Sequence, residues 1–343
     1  MLVKNSHKKL LVALALVVSA VSVWAQDVSF SQPYAAPLYL NPAYSGVAEF
    51  SRVGANFRYQ WAAFGEPYTT YAVFADQYFD DYKSGLGFSA VSDRQANGAM
   101  VQSNFGASYA YNLRLAEKTF LRFGLQAQLG ATSANAAKLI FPDMLSPDGS
   151  STSLEPYAAE QRSYFDVAVG SVFSHSIFFA GAALHHLMGS PEVEVLGQPV
   201  VIPRKLTLHA GCNIPLGQRN AYSYYNNGEK TTTISPNAIV WLQGIYTSYA
   251  VGANLSLSSF SLGAFYKSAL KSSAHFLSLS AGYSGAWFAL GYSFDIGKIS
   301  RAAGGYLPNT HEVSLIFKVK KRQRDSFRRQ WETPYKVQNT PIL

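Results

Sequence analysis

Few residues in this chain have both the type and the spacing to do chemistry. His185 and His186 are adjacent, so on a strand they would point to opposite faces and could not hold one ion together. His175, His209, His275 and His311 show no ligand spacing. Asp143 and Asp148 flank a proline-rich turn and lack the ligand run of a calcium loop. Gly85-Leu86-Gly87 lies inside an alternating stretch and opens no helix, which a phosphate loop requires. There is no Walker loop, HExxH or CxxC. The single cysteine, Cys212, cannot form an internal disulfide and reads as a small apolar filler. No nucleophile, base and acid form a set, so no enzyme, cofactor or metal is expected. What remains is a series of charges on the polar faces of alternating segments: Arg52, Arg58, Arg122, Asp166, Asp295 and Glu312. They read as a paired internal network, or as the lining of a selective pore.

The elements that must carry these residues are strands. After residue 25 no apolar run approaches the ~18 residues of a membrane helix. Period-2 alternation recurs instead. Val53, Ala55, Phe57, Tyr59 and Trp61 form one face, and Arg52, Gly54, Asn56, Arg58 and Gln60 the other. Leu121, Phe123, Leu125, Ala127 and Leu129 alternate with Arg122, Gly124, Gln126 and Gln128 in the same way. About fourteen such segments are predicted, at 50–62, 68–79, 84–93, 100–113, 118–132, 164–174, 176–186, 205–214, 232–244, 246–257, 259–268, 274–284, 286–296 and 309–319. Charged residues are 14% of the chain and aromatics also 14%. A soluble sandwich would carry Lys, Glu and Asp on its outward face. Here the non-apolar face is mostly Gly, Ser, Asn and Gln, and aromatics gather near segment ends, as interface girdles do. The expected fold is all-β: a transmembrane antiparallel β-barrel of about 14 strands over residues 50–319. Even-numbered connections should be short turns. The connections at 133–163, 187–204 and 297–308 are long, and 215–231 is long where a turn is expected.

The two ends carry the charge. Lys4, Lys8 and Lys9 precede an apolar run from Leu10 to Ala20 and a small-residue site at Val23-Trp24-Ala25. This pattern predicts a signal peptide over 1–25, cleaved after Ala25. The tail at 320–343 holds seven basic and two acidic residues. Together these ends account for the net charge of +8, and residues 26–319 are formally neutral. A nucleic-acid partner is therefore not expected. Lys320, Lys321, Arg322, Arg324, Arg328 and Arg329 form a cluster. It is either a solvated charge run or contact with anionic groups of the membrane, or a docking site for an acidic periplasmic partner.

Residues 26–49 form the most specific stretch. It reads Gln-Asp-Val-Ser-Phe30-Ser31-Gln32, and then Pro37-Leu-Tyr-Leu40-Asn41-Pro42-Ala43-Tyr44-Ser45-Gly46. Asn41-Pro42 favours a turn, and Gly46 permits a backbone angle other residues resist. Phe30, Tyr34, Leu38, Tyr39 and Leu40 are apolar enough to need burial. The segment is expected to form a short periplasmic cap or a plug, either sealing the barrel mouth or meeting a partner. This opening resembles the mature N-terminus of the PorP/SprF family of type IX secretion system membrane proteins. SGLGFS at 84–89, NFGASYAY at 104–111, FAGAALHHL at 179–187, LGYSFDI at 290–296 and THEVSLIF at 310–317 are similar to family strands, so the resemblance covers about 26–319. Two features depart from it: Val28, where family sequences often have Pro, and the added tail at 320–343.

The resemblance implies a non-enzymatic accessory in the cell outer membrane of Bacteroidota. Such proteins assist secretion or surface anchoring of particular cargo, including gliding adhesins. The partners implied are the type IX translocon, its secreted cargo, and periplasmic or peptidoglycan-linked motor components. The alternative is a transporter or porin-like channel for a small or hydrophobic solute.

Overall fold

A computed structural model describes residues 27–48, 50–63, 67–135, 138, 159–189, 193–195, 198–200, 202–216, 232–270, 273–299 and 306–319. The signal segment, the basic tail and residues 136–137 and 139–158 of the longest loop predicted from sequence lie outside the described residues; the ends of that predicted loop, 133–135 and 159–163, are strand.

Seventeen strands are present among these residues. They are β1 (Ser51–Gln60), β2 (Tyr68–Phe79), β3 (Ser84–Gln95), β4 (Met100–Ala116), β5 (Thr119–Asn135), β6 (Ala159–His175), β7 (Phe178–His185), β8 (Val193–Val195), β9 (Gln198–Val200), β10 (Lys205–Cys212), β11 (Ile214–Leu216), β12 (Thr232–Gln243), β13 (Tyr246–Leu257), β14 (Phe260–Ala269), β15 (Ala274–Ser284), β16 (Phe288–Ile299) and β17 (Tyr306–Val319). Each large strand pairs antiparallel with its chain neighbours. The sheet closes twice over. β1 pairs with β17 from Ser51↔Val319 to Gln60↔Thr310, and β10 pairs with β12 from Lys205↔Gln243 to Gly211↔Asn237. β11 continues β10 along the same edge of β12. The result is a closed antiparallel barrel of fourteen staves, with β8 and β9 forming a separate two-stranded hairpin.

All fourteen predicted segments become staves. The sequence reading missed the three short strands β8, β9 and β11. The last of these shows that the irregular connection after residue 212 begins by lengthening its stave.

The alternation fixes which way each face points. Val53, Phe88, Phe105, Leu129 and Phe165 are half or more exposed on the outside, while Arg52, Asn56, Arg58, Gln126 and Glu312 are buried inside. That inversion belongs to a wall facing lipid outward and a polar lumen inward. Tight turns at 117–118, 176–177 and 258–259 join staves at one end, where Ser176 and Ser258 adopt left-handed φ of 51° and 57°. Such hairpins need positive φ to follow the twist of the strands. The chain also enters and leaves the barrel at this end. Short connections occur at the other end too, at 96–99 and 244–245, so long loops do not fill that rim evenly.

Candidate functional site: the occupied lumen

Residues 27–48 run inside the barrel. Three prolines shape them: a 3-10 turn at Pro33–Ala35, one helical turn at Pro37–Leu40 and a 3-10 turn at Pro42–Tyr44, each with proline at a first position where its missing N–H costs nothing. The segment begins beside the rims of β7, β10 and β12, where the long loops lie. It ends beside β2 and β3 at the tight-turn end, and there turns into β1. It therefore traverses the lumen and does not merely cover a mouth, as a cap would.

The wall grips this segment mainly by its backbone. Near the middle, Glu312 accepts from the N–H groups of Ser31 at 2.6 Å and Gln32 at 2.9 Å. The Ser31 hydroxyl accepts from Arg58 at 2.5 Å and donates to Asp295 at 2.6 Å, and Gln32 Oε1 accepts from Ser314 at 3.1 Å. Near the tight-turn end, Arg122 donates to the carbonyls of Ala43 at 2.9 Å and Ser45 at 2.6 Å. Gly46 N–H donates to Asp76 at 2.7 Å, and Asp76 is itself bound by Arg52 at 2.7 Å. Buried charges of this kind hold only when each is paired or hydrogen bonded, which these are.

Asn41 ties the turn to the wall. Its Nδ2 donates to the carbonyls of Ser171 at 3.1 Å and Ala182 at 3.2 Å, and its Oδ1 accepts from Ala43 N–H at 2.9 Å. Tyr44 packs on His209 with the rings tilted by 35° and centroids 5.4 Å apart, and its hydroxyl meets Nδ1 at 3.2 Å. Leu40, Ala43 and Tyr44 share a core with Tyr34, Val172, Phe179 and Ile239. Phe30 meets Tyr39 edge-on at 5.2 Å and packs on Ala72 and Val91. Gly46 uses its freedom, at φ 64°.

At the long-loop end the contact changes character, because a side-chain charge is held. Asp27 lies 2.9 Å from His186 Nε2 and 3.2 Å from Lys205 Nζ. His186 Nδ1 is 2.7 Å from Asp166, and Lys205 sits 4.8 Å over the Tyr39 ring. Burial alone would push the Asp27 carboxyl up; the His186 and Lys205 cations overcome it and hold it well below the usual carboxylate range. Burial alone would push His186 down; Asp27 and Asp166 overcome it and raise the imidazole to about 9.

His186 corrects the sequence reading. It lies one residue past β7 with φ 59°, so it swings inward and does not face away from His185; both are buried. The motif residues Phe30, Ser31, Gln32, Leu40, Asn41, Pro42, Ala43, Tyr44 and Gly46 all come together in the lumen. The cluster Lys320, Lys321, Arg322, Arg324, Arg328 and Arg329 lies outside the described residues. Sequence reasoning missed the wall glycines that receive the motif. A Cβ on Gly124 would fall 2.2 Å from Ala43 N, and one on Gly170 would fall 2.0 Å from Asn41 Oδ1. The only signal of this was glycine on the inward parity of a strand.

Two small cavities flank the segment. One, of about 30 Å³, is lined by Asp27, Tyr39, Asp93, Gln126, His185 and Lys205. The other, of about 40 Å³, lies between Gln32–Ala35 and Asn254, Ser261 and Ser280. They share no lining residue.

A closed antiparallel barrel with an apolar outer band and a polar, occupied lumen is a transmembrane β-barrel protein of the outer-membrane form. The chain belongs to the family described as type IX secretion system membrane protein PorP/SprF, whose model matches residues 22–317. No curated protein matches it in sequence. Among solved structures it is similar to the CymD monoaromatic hydrocarbon channel, at 11% identity over 86% of this chain and 94% of that one, with a TM-score of 0.48. It is also similar to the Pseudomonas putida toluene transporter TodX, at 9% identity over 88% and 100%, with a TM-score of 0.48. The Acinetobacter baumannii outer membrane protein Omp33 matches at 12% identity over 80% and 100%, with a TM-score of 0.43. These are distant likenesses of form.

Proposed function

We propose that this protein is a plugged, non-enzymatic outer-membrane accessory of type IX export that assists secretion or surface anchoring of particular cargo. Family membership supports the export system. The observation that carries the plugged, accessory part is the traversing segment, fastened to one sector of the wall by Glu312, Arg58, Asp76 and Arg122. A solute channel needs a continuous wet path, whereas the segment fills the lumen and the two cavities described beside it share no lining residue. Cargo, translocon and periplasmic or peptidoglycan-linked motor components are its proposed partners. Cargo such as a gliding adhesin fits the role. The decisive comparison is of surface and secreted proteomes with and without the gene, by mass spectrometry. Loss of one or a few type IX cargo proteins is the expected result. An unchanged proteome with the barrel otherwise expressed would favour the transporter reading.

The signal peptide and the tail belong to the same proposal. Cleavage after Ala25 predicts a mature N-terminus at Gln26, checked by N-terminal mass. The chain leaves β17 at the tight-turn end, so the basic cluster from Lys320 to Arg329 would project on the periplasmic side toward an acidic partner. Deleting 320–343 should reduce recovery of that partner while the barrel still folds. Undiminished recovery and undiminished export would sink the docking role.

A further inference from the structure

The lipid-facing wall is not uniform. From β1 to β6, two adjoining rows of outward side chains alternate in size. One row runs Val53, Ala75, Phe88, Ala107 and Ala127. The next, one step toward the long-loop end, runs Val73, Ala90, Phe105, Leu129 and Phe165. The four alanines form a floor of methyl groups, and the larger side chains stand up around it. Together they bound a groove of about 660 Å³. Phe88, Phe105, Leu129 and Phe165 are exposed, which leaves the groove open to the bilayer. Its upper lip is polar. The next row reads Tyr71, Ser92, Ser103, Ala131 and Ser163, and the Ser92 and Ser103 hydroxyls meet at 3.1 Å. Arg94 follows on the same outward parity of β3 and is exposed. It lies four residues beyond Ala90, ~13 Å along the strand.

We propose that this groove is a lipid-binding site. It holds an acyl chain of a phosphate-bearing lipid of the outer leaflet, with the head group against Ser92, Ser103 and Arg94. Three observations favour that occupant. The groove is continuous with the wall that faces lipid, so hydrocarbon is the medium that reaches it. Its floor steps between alanines on neighbouring staves. A flexible chain can follow such a floor, whereas the convex wall of a second barrel would rest on Phe88 and Phe105 and leave the alanines uncovered. The third observation is the order of the rows. Hydroxyls and then a guanidinium stand just above the groove, on the long-loop side, where an acyl chain ends and its head group begins. A guanidinium pairs with phosphate through a fork of N–H donors. Free phosphate would satisfy Arg94 and leave the groove empty, so the two features together select a lipid.

The test uses the full-length protein extracted from its native membrane in mild detergent. Native mass spectrometry should find a phosphate-bearing lipid retained on the barrel. Ala107→Phe fills the floor and should lower retention about tenfold, the loss of roughly two buried methylenes. Arg94→Gln, above the apolar band, should lower it about fivefold, while Arg94→Lys keeps part of it. Ala264→Phe puts the same bulk on the outward face of β14, across the barrel, and should change nothing. Heat-modifiable gel mobility confirms the barrel in each variant. No retained lipid, or equal retention by wild type, Ala107→Phe and Arg94→Gln, would overturn the proposal. So would a retained lipid without phosphate, or a second copy of this chain that Ala107→Phe displaces. Cargo does not enter this readout, so its outcome is separate from that of the export role.

Discussion

Gly124 and Gly170 are where the wall thins to admit the motif. Any side chain at 124 would occupy the space of the Pro42–Ala43 peptide. Gly124→Val should therefore expel the turn while the outer face stays unchanged. Overpacking of this sort costs about 1–3 kcal/mol, seen as a lower denaturant midpoint and faster proteolysis within residues 33–46. His186 gives a residue-scale prediction with a definite sign. It is raised from an ordinary 6.5 to about 9 and faces Asp27, Asp166, Lys205 and His185. A raised pKa means its contribution is complete below 6.5 and is lost as pH climbs through 9. The protection factor for amide exchange at Val28–Phe30, taken against the intrinsic base-catalysed rate at each pH, should thus be high at pH 7 and fall between pH 8 and 10. His186→Gln should give a low protection factor that does not change with pH. A wild-type protection factor constant over that range would show that Asp27 does not depend on the imidazolium.

The luminal segment is an element with no regular ladder, so its N–H and C=O groups must be met by wall side chains. Arg122 and Arg52 test this differently. Arg122 serves the carbonyls of Ala43 and Ser45 and forms no ion pair among the described residues. Arg122→Met should loosen residues 40–46 by about 2–3 kcal/mol while the barrel persists. Arg52→Met strands the buried Asp76 carboxylate, which binds both wall and segment, and should cost about 3–5 kcal/mol of the whole fold. Heat-modifiable gel mobility reports the barrel, and amide exchange reports the segment. The staves were legible in the sequence because alternation is local. The predicted spans 68–79, 246–257 and 274–284 coincide with β2, β13 and β15. The burial need of Phe30, Tyr34, Leu38 and Leu40 was legible too. Their path was not, because the bonds that set it join residues far apart: 281 positions separate Ser31 from Glu312, and 130 separate Asn41 from Ser171. No window of the chain records such pairings. The inward turn of His186 was hidden for another reason: one left-handed residue ends the strand that periodicity continues.

At the scale of the whole molecule, the charged sector of the wall and the segment form one object. Arg52, Arg58, Asp76 and Arg122 come from β1, β2 and β5, and Asp295 and Glu312 from β16 and β17. The segment thus bridges both sides of the β1–β17 seam, where the barrel closes on itself. A lumen filled this way should pass few ions. In planar bilayers the wild-type protein should show little or no steady conductance, and Gly124→Val should show intermittent openings as the turn leaves its seat. The export reading adds a second axis to that measurement. If Gly124→Val conducts yet still delivers its cargo to the surface, the segment serves as a seal, and cargo is handled by another surface. If it conducts and cargo is lost, the seated segment is itself part of the docking surface. A wild-type barrel that conducts as steadily as an open porin would remove the premise of both, and return the protein to the solute-channel class.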